Sequence, residues 1–295
     1  MTITHPRKQT LILTQTKTDL NLKGYDLQIQ RPHQYPETIP IPQLDRLVLI
    51  GSIPLTRLLQ KQLQRHHIAL LQLDTQGEFL GAWHPSHPHR QTPTPPSSDR
   101  AEPLLRTYLH NALQTLTQLN TILPTPQTTH TQHLLTLIHD DLIGGTPHTI
   151  LRDYCSSTSN HYDQTLRHWL TLYTAQLNGS RPIIPINTAL RLSEALLYDD
   201  IDRAIAKAGL WSDRGYLHDQ TDCPAPLTCD GVLLLRCTWV DQLVARWLVH
   251  WAMRDTLTTF LNHWLTLTDT PTYQQAIAKT INQLREGWMT NTTGF

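Results

Sequence analysis

Between His84 and Glu102 the chain runs HPSHPHRQTPTPPSSDRAE, dense in Pro, Ser, Thr and His and nearly devoid of apolar side chains. Such a stretch has nothing to bury, so it reads as an exposed linker and obliges the chain to fold as two bodies. The 295 residues are enough for two separate cores, since a domain takes roughly 150. The hydrophobic period also changes across the stretch, from two residues before it to 3.6 after it. The expected architecture is α+β: a small β-rich, β-sandwich-like domain with one helix at 1–84, a linker at 85–103, and a larger all-helical domain at 104–295.

In the first half, LILT at Leu11–Thr14 and LNLKGYDLQIQ at Leu20–Gln30 alternate apolar and polar residues, with Lys23-Gly24 as a turn; a hairpin or meander follows. Leu47 to Ile50 form a continuous apolar strand ending at Gly51, and Pro40 and Pro42 confine the strand before it to an edge. Pro54 to His67 carries Leu55, Leu58, Leu59 and Leu63 at helical steps. IALLQLD is a further strand, and TQGEFLG turns the chain back through Phe79 and Leu80 to Trp83.

The second half is written in leucine stripes. Leu105, Leu109, Ala112, Leu113, Leu116 and Leu119 form one; Leu134, Leu135, Leu137, Ile138 and Leu142 form another, stopped by Gly144-Gly145. A helix is expected over His161–Leu177, and another after Pro185, capped near Asn187 and ended by Gly209.

Charge narrows the function classes. Lys plus Arg and Asp plus Glu both number 24, and from Leu104 onward 13 basic residues face 16 acidic ones, a net of −3. There is no global basic field of the kind that advertises a nucleic-acid binder, so any DNA contact is local. Cys155, Cys223, Cys229 and Cys237 form no CxxC pair, which argues against a zinc knuckle. His218 with Cys223 and Cys229 would supply three zinc ligands on paper, but buried, reduced thiols are the expectation. MTITHPRKQT lacks an apolar core of signal-peptide length, and no stretch reaches ~18 apolar residues. The expectation is a cytoplasmic chain without membrane association.

One stretch suggests chemistry. HDQTDCPAPLTCDGVLLLRCTWVD, His218–Asp241, opens on an imidazole, crosses a proline-broken loop, and reaches Asp230 at the start of an apolar helical run. Imidazole plus carboxylate is half of a site for Mn2+ or Mg2+.

The order of motifs resembles the CRISPR-associated spacer-acquisition integrase family. Gly51, Leu58, Leu59, Ile68, Gly77, Phe79, Leu80, Gly81 and Pro85 fall where that family's N-terminal domain places a strand ending in Gly, a Leu-Leu helix and a Gly-x-Phe-Leu-Gly turn. Asn187, Leu190, Ala195, Leu196, Leu197, Tyr198, Ala208, Gly209 and Leu210 match its Pro-x-Asn-Ala-Leu-Leu helix and Ala-Gly-Leu ending. Tyr216-Leu217-His218 matches its second metal ligand, Asp230 its third, Arg236 a recurring Arg, and Val240–Val244 a Val-Asp-Arg-Leu-Val run. Anchored on Tyr162, the first ligand, a Glu in the family, falls on Cys155, which is not expected to ligate. Cys223-Pro224-Ala225-Pro226 replaces a basic element, and Leu233 an acidic residue.

The resemblance implies a CRISPR adaptation protein that binds prespacer and CRISPR-repeat DNA and joins them by Mg2+- or Mn2+-dependent strand transfer. His218 and Asp230 would be its catalytic and metal-binding residues, and the activity would be impaired by Cys155. It also implies a homodimer, or a heterodimer with a paralogue, working with a small ferredoxin-like adaptation protein. The alternative is a non-catalytic structural subunit of the same complex. Arg152, Arg167, Arg181, Arg191 and Arg214 are the basic candidates for DNA contact.

Overall fold

The computed structural model describes residues 9–14, 17–83, 100–142, 146–177 and 181–289. The chain divides into two compact units, residues 1–87 and 88–295. Most of the expected linker lies outside the described residues, as does the expected helix stop at Gly144-Gly145.

The first unit holds strands β1 (Gln9–Leu13), β2 (Asp19–Lys23), β3 (Asp26–Gln30), β4 (Glu37–Pro40) and β5 (Leu44–Ile50), helix α1 (Arg57–Arg65), then β6 (Ala69–Leu73) and β7 (Phe79–Trp83). One sheet has the order β1-β5-β6-β7 and the other β2-β3-β4. β2 and β3 form the expected hairpin, with Gly24 at φ 66° in its turn. β4, ending in Pro40, is an edge strand as its proline requires. Leu27 and Ile29 of the three-stranded sheet share one core with Leu47 and Leu49 of β5 and Leu59 and Leu63 of α1. The order is not a simple meander, because β1 pairs in parallel with β5. α1 is shorter than its apolar stripe suggests: Thr56 caps it by accepting from the Leu59 N–H at 3.2 Å, leaving Pro54 outside.

The second unit contains α2 (Ala101–Ile122), α3 (Pro126–Asp141), α4 (His148–Ala175), α5 (Ile186–Lys207), α6 (Pro226–Arg236), α7 (Gln242–His250), α8 (Leu257–Thr268) and α9 (Pro271–Met289). A π-helical turn, Cys237–Asp241, joins α6 and α7 into one rod. The wide turn leaves carbonyls short of partners in the helix, and α2 reaches across to them. Asn111 donates to the Leu234 carbonyl at 2.7 Å and Thr115 to the Cys237 carbonyl at 3.1 Å. The α2 stripe is buried as expected except for half-buried Leu113, whereas on α3 Leu135 is buried and Leu137 stands out in solvent.

Two boundaries differ from the sequence reading. α4 begins at His148 rather than near His161. Its Ser- and Thr-rich start has weak helix propensity, but Leu151, Cys155 and Tyr162 bury one face, and Thr158 and Ser159 return their hydroxyls to the Tyr154 and Ser156 carbonyls. α5 has Pro185, not Asn187, at its N-cap, and ends as expected at Gly209, φ 70°. No helix of the described residues is long and apolar enough to cross a membrane.

Candidate functional site

His218 and Asp230 converge. The loop after α5 carries Tyr216, Leu217 and His218, and Asp230 sits in the second turn of α6. His218 Nδ1 lies 2.7 Å from Asp230 Oδ1. The carboxylate also accepts three successive backbone N–H groups: Tyr216 at 2.5 Å, Leu217 at 3.2 Å and His218 at 3.1 Å. Asp230 is fully buried, and His218 is about a quarter exposed. Gly215 makes this approach possible, because a Cβ there would stand 2.8 Å from Asp230 Oδ2 and 2.9 Å from the Pro226 carbonyl carbon.

α4 is tied to the same loop. Arg152 bridges Asp219 at 2.6 Å and Asp222 at 2.8 Å, and the His148 ring hydrogen-bonds the Tyr216 carbonyl. The Thr221 hydroxyl and backbone N–H, followed by Arg152, hold the Asp219 carboxyl well below the usual range. Cys155, one turn after Arg152, is buried beside these acids; burial first, then the charges of Asp230 and Asp222, push its thiol up to about 12. It is therefore a neutral thiol at physiological pH.

These residues do not fit a Mn2+ or Mg2+ site. A carboxylate has about four lone-pair positions, and three backbone N–H groups and a ring nitrogen already engage both oxygens of Asp230. An acid on one imidazole nitrogen is how proteins orient a histidine from behind, so Asp230 stands behind His218 rather than beside it as a second ligand. Cys155 offers an SH group in place of an anionic oxygen. Among the described residues no three His, Cys, Asp or Glu side chains form a metal-binding group. The paper zinc set of His218, Cys223 and Cys229 also fails, because Cys223 and Cys229 are joined in a disulfide. That corrects the expectation of four reduced thiols: only Cys155 and Cys237 are free, both buried. The proline-broken loop folds six residues back on themselves, which spacing alone does not reveal.

A second polar centre, not among the residues the sequence singled out for chemistry, lies along the rod. Arg236 meets Asp163 of α4 at 2.9 Å, Glu194 of α5 at 3.7 Å and Asp241 at 3.6 Å. Asp241 is fully buried and accepts from the Tyr162 hydroxyl at 2.9 Å. Burial pushes its carboxyl up to about 7, against the lowering pull of Arg236 and Tyr162. The sequence signal was present, since Arg236 and Asp241 both fall on positions of the resembled family's pattern.

The five candidate arginines are not gathered into one patch. Arg152 is spent on Asp219 and Asp222. Arg167 is exposed on α4 and donates to Asn187 Oδ1 at 3.2 Å, and it lines one cavity with exposed Arg181. Arg191 is exposed on α5, and Arg214 is exposed beside Gly215.

The chain thus combines a mixed-sheet β unit with a helical unit that carries the clasped His218–Asp230 pair. The model of the family described as CRISPR associated protein Cas1 matches residues 11–256, and the chain belongs to that family. A Cas1 protein from Thermotoga maritima superposes with a TM-score of 0.64 at 12% identity, covering 95% of this chain and 97% of that one. A Cas6-RT-Cas1–Cas2 complex gives 0.66 at 17% identity, over 96% of this chain and 36% of that one. A casposase bound to integration product gives 0.57 at 15% identity, over 94% and 82%. No curated protein matches the chain.

Two measurements check the geometry. Gly215→Ala should lower unfolding stability by ~1–3 kcal/mol, the usual cost of forcing an atom into a packed site; an unchanged denaturation midpoint contradicts the close approach. Asp241 binds its proton more tightly folded than unfolded, where its value is near 4. Between about pH 4 and about 7 the folded state therefore holds the extra proton, and stability falls as pH rises. Asp241→Asn should remove that part of the pH dependence of thermal unfolding, so wild type and variant diverge progressively across the window; parallel curves contradict it.

Proposed function

We propose that this protein is a DNA-binding subunit of a CRISPR adaptation complex, and that its own metal-dependent strand transfer is lost. In this reading it holds prespacer and repeat DNA, pairs with a second copy or a paralogue that keeps the chemistry, and docks the small ferredoxin-like adaptation protein in the cytoplasm. Family membership supports the adaptation role, and the casposase relative bound to integration product supports a DNA partner. The observation that favours loss of chemistry is the state of Asp230, buried and engaged by three backbone N–H groups and His218. A ligand in that condition would have to surrender its hydrogen bonds to take a cation, at a cost of ~1–3 kcal/mol for each buried donor left unpaired. Cys155 adds nothing, because a soft thiol is a poor partner for Mg2+.

A second reading, retained strand transfer, draws on His218: with Nδ1 held by Asp230, its Nε2 faces away as the free nitrogen. The two separate in one experiment, a strand-transfer assay on branched CRISPR-repeat DNA with Mn2+. The expected result is salt-sensitive DNA binding without metal-dependent joining, unchanged in binding by His218→Ala. Joining that requires Mn2+ and disappears in His218→Ala overturns the non-catalytic reading.

A further inference from the structure

Asp230 lies near the start of the α6–α7 rod and Trp251 just past its end, about 30 Å further along at 1.5 Å per residue. The Trp251 end has a composition found nowhere in the clasp. Arg246, His250, Trp251 and Arg254 are all exposed there, Trp251 by 40%. The indole is held in place rather than loose: it stacks on His263 with ring centres 4.7 Å apart and planes at 21°, and His263 Nε2 is fixed 2.9 Å from Asp255 Oδ2. Asp255, the acid of this turn, is thereby turned inward and buried. Among the described residues neither Arg246 nor Arg254 has a carboxylate partner.

Two further exposed arginines are Arg167 on α4 and Arg181 in the segment before α5. The Ile183 N–H donates to the Ala252 carbonyl at 3.1 Å, which lays the segment carrying Arg181 against the Trp251 turn. Arg181 and Arg167 line a cavity of about 750 Å3 with Thr171, Thr174 and Asn187, and no acidic side chain lines it. In a unit whose net charge is negative from Leu104 onward, the Trp251 end carries exposed Arg246 and Arg254 and is backbone-bonded to the segment of exposed Arg181.

We propose that this corner docks an unstacked DNA segment, with phosphates on Arg181, Arg246 and Arg254 and one base stacked on Trp251. The inference rests on the DNA-binding reading above and adds to it a site remote from His218 and Asp230. Cations match phosphate, and a pre-positioned indole offers a π-face to any base without sequence preference. Trp and Arg also mark protein interfaces, but arginines without an acidic partner match a polyanion more closely than the mixed charge of a protein surface.

The test uses the full chain with two probes, an oligothymidylate of about 15 nucleotides and a blunt duplex of about 25 base pairs, read by fluorescence anisotropy across a salt series. Trp251→Ala should weaken oligothymidylate binding on the order of 10-fold while Trp251→Phe retains most of it, and neither should change duplex binding to that extent. Arg254→Gln and Arg181→Gln, both at exposed positions, should each flatten the salt slope by about one. If the wild type binds duplex but Trp251→Ala leaves oligothymidylate affinity unchanged, this site is overturned and the DNA reading survives. If the wild type binds neither probe, both are overturned. A Trp251→Ala change confined to oligomeric mass on size exclusion assigns the patch to protein contact and also overturns the proposal.

Discussion

The carboxylate of Asp230 is the point on which the second unit is assembled. An isolated buried anion costs several kcal/mol, and here three consecutive peptide N–H groups and an imidazole supply the compensation. Those same contacts fix the backbone of residues 216–218, which otherwise have no helix or strand to satisfy them. The loop then acquires two further anchors, Arg152 to Asp219 and Asp222, and His148 to the Tyr216 carbonyl, both from the first turns of α4. One acid thus sets how the loop meets α6, using its hydrogen-bonding capacity in doing so, while Arg152 and His148 tie α4 to that loop.

The Arg236 centre performs the corresponding task along the rod. A guanidinium with three acids from α4, α5 and the π-turn fixes the register of three helices, and Tyr162 closes the set by donating to Asp241. The π-turn is stabilised from the other side by Asn111 and Thr115 of α2. Both polar centres therefore lie on the same helical rod, and its Trp251 end is left to present cations and an indole outward.

Much of this was legible in the sequence because burial leaves a periodic trace. The Leu stripe of α2, the Gly24 hairpin, the Pro40 edge and the Gly209 stop each follow from a local rule and each hold. The His218–Asp230 convergence was legible too, but its meaning was not: twelve residues of separation do not say whether the pair faces a cation or the chain's own peptide groups. The start of α4 escaped because Ser and Thr hide a helix whose buried face is carried by Leu151, Cys155 and Tyr162. The β1–β5 pairing and the Cys223–Cys229 bond depend on how the chain returns in space, which no local period encodes. The family's motifs located Arg236 and Asp241 without indicating that they meet.

The central claim is that Asp230 serves the fold instead of a cation. It is tested most directly by thermal unfolding of the wild type and of Asp230→Ala with and without millimolar Mn2+. If Asp230 is a clasp, the variant unfolds at lower temperature in both buffers, because its peptide donors lose their acceptor, and Mn2+ leaves the wild-type midpoint where it was. A saturable Mn2+-dependent rise in the wild-type midpoint, as binding to the folded state alone produces, that vanishes in Asp230→Ala contradicts the account.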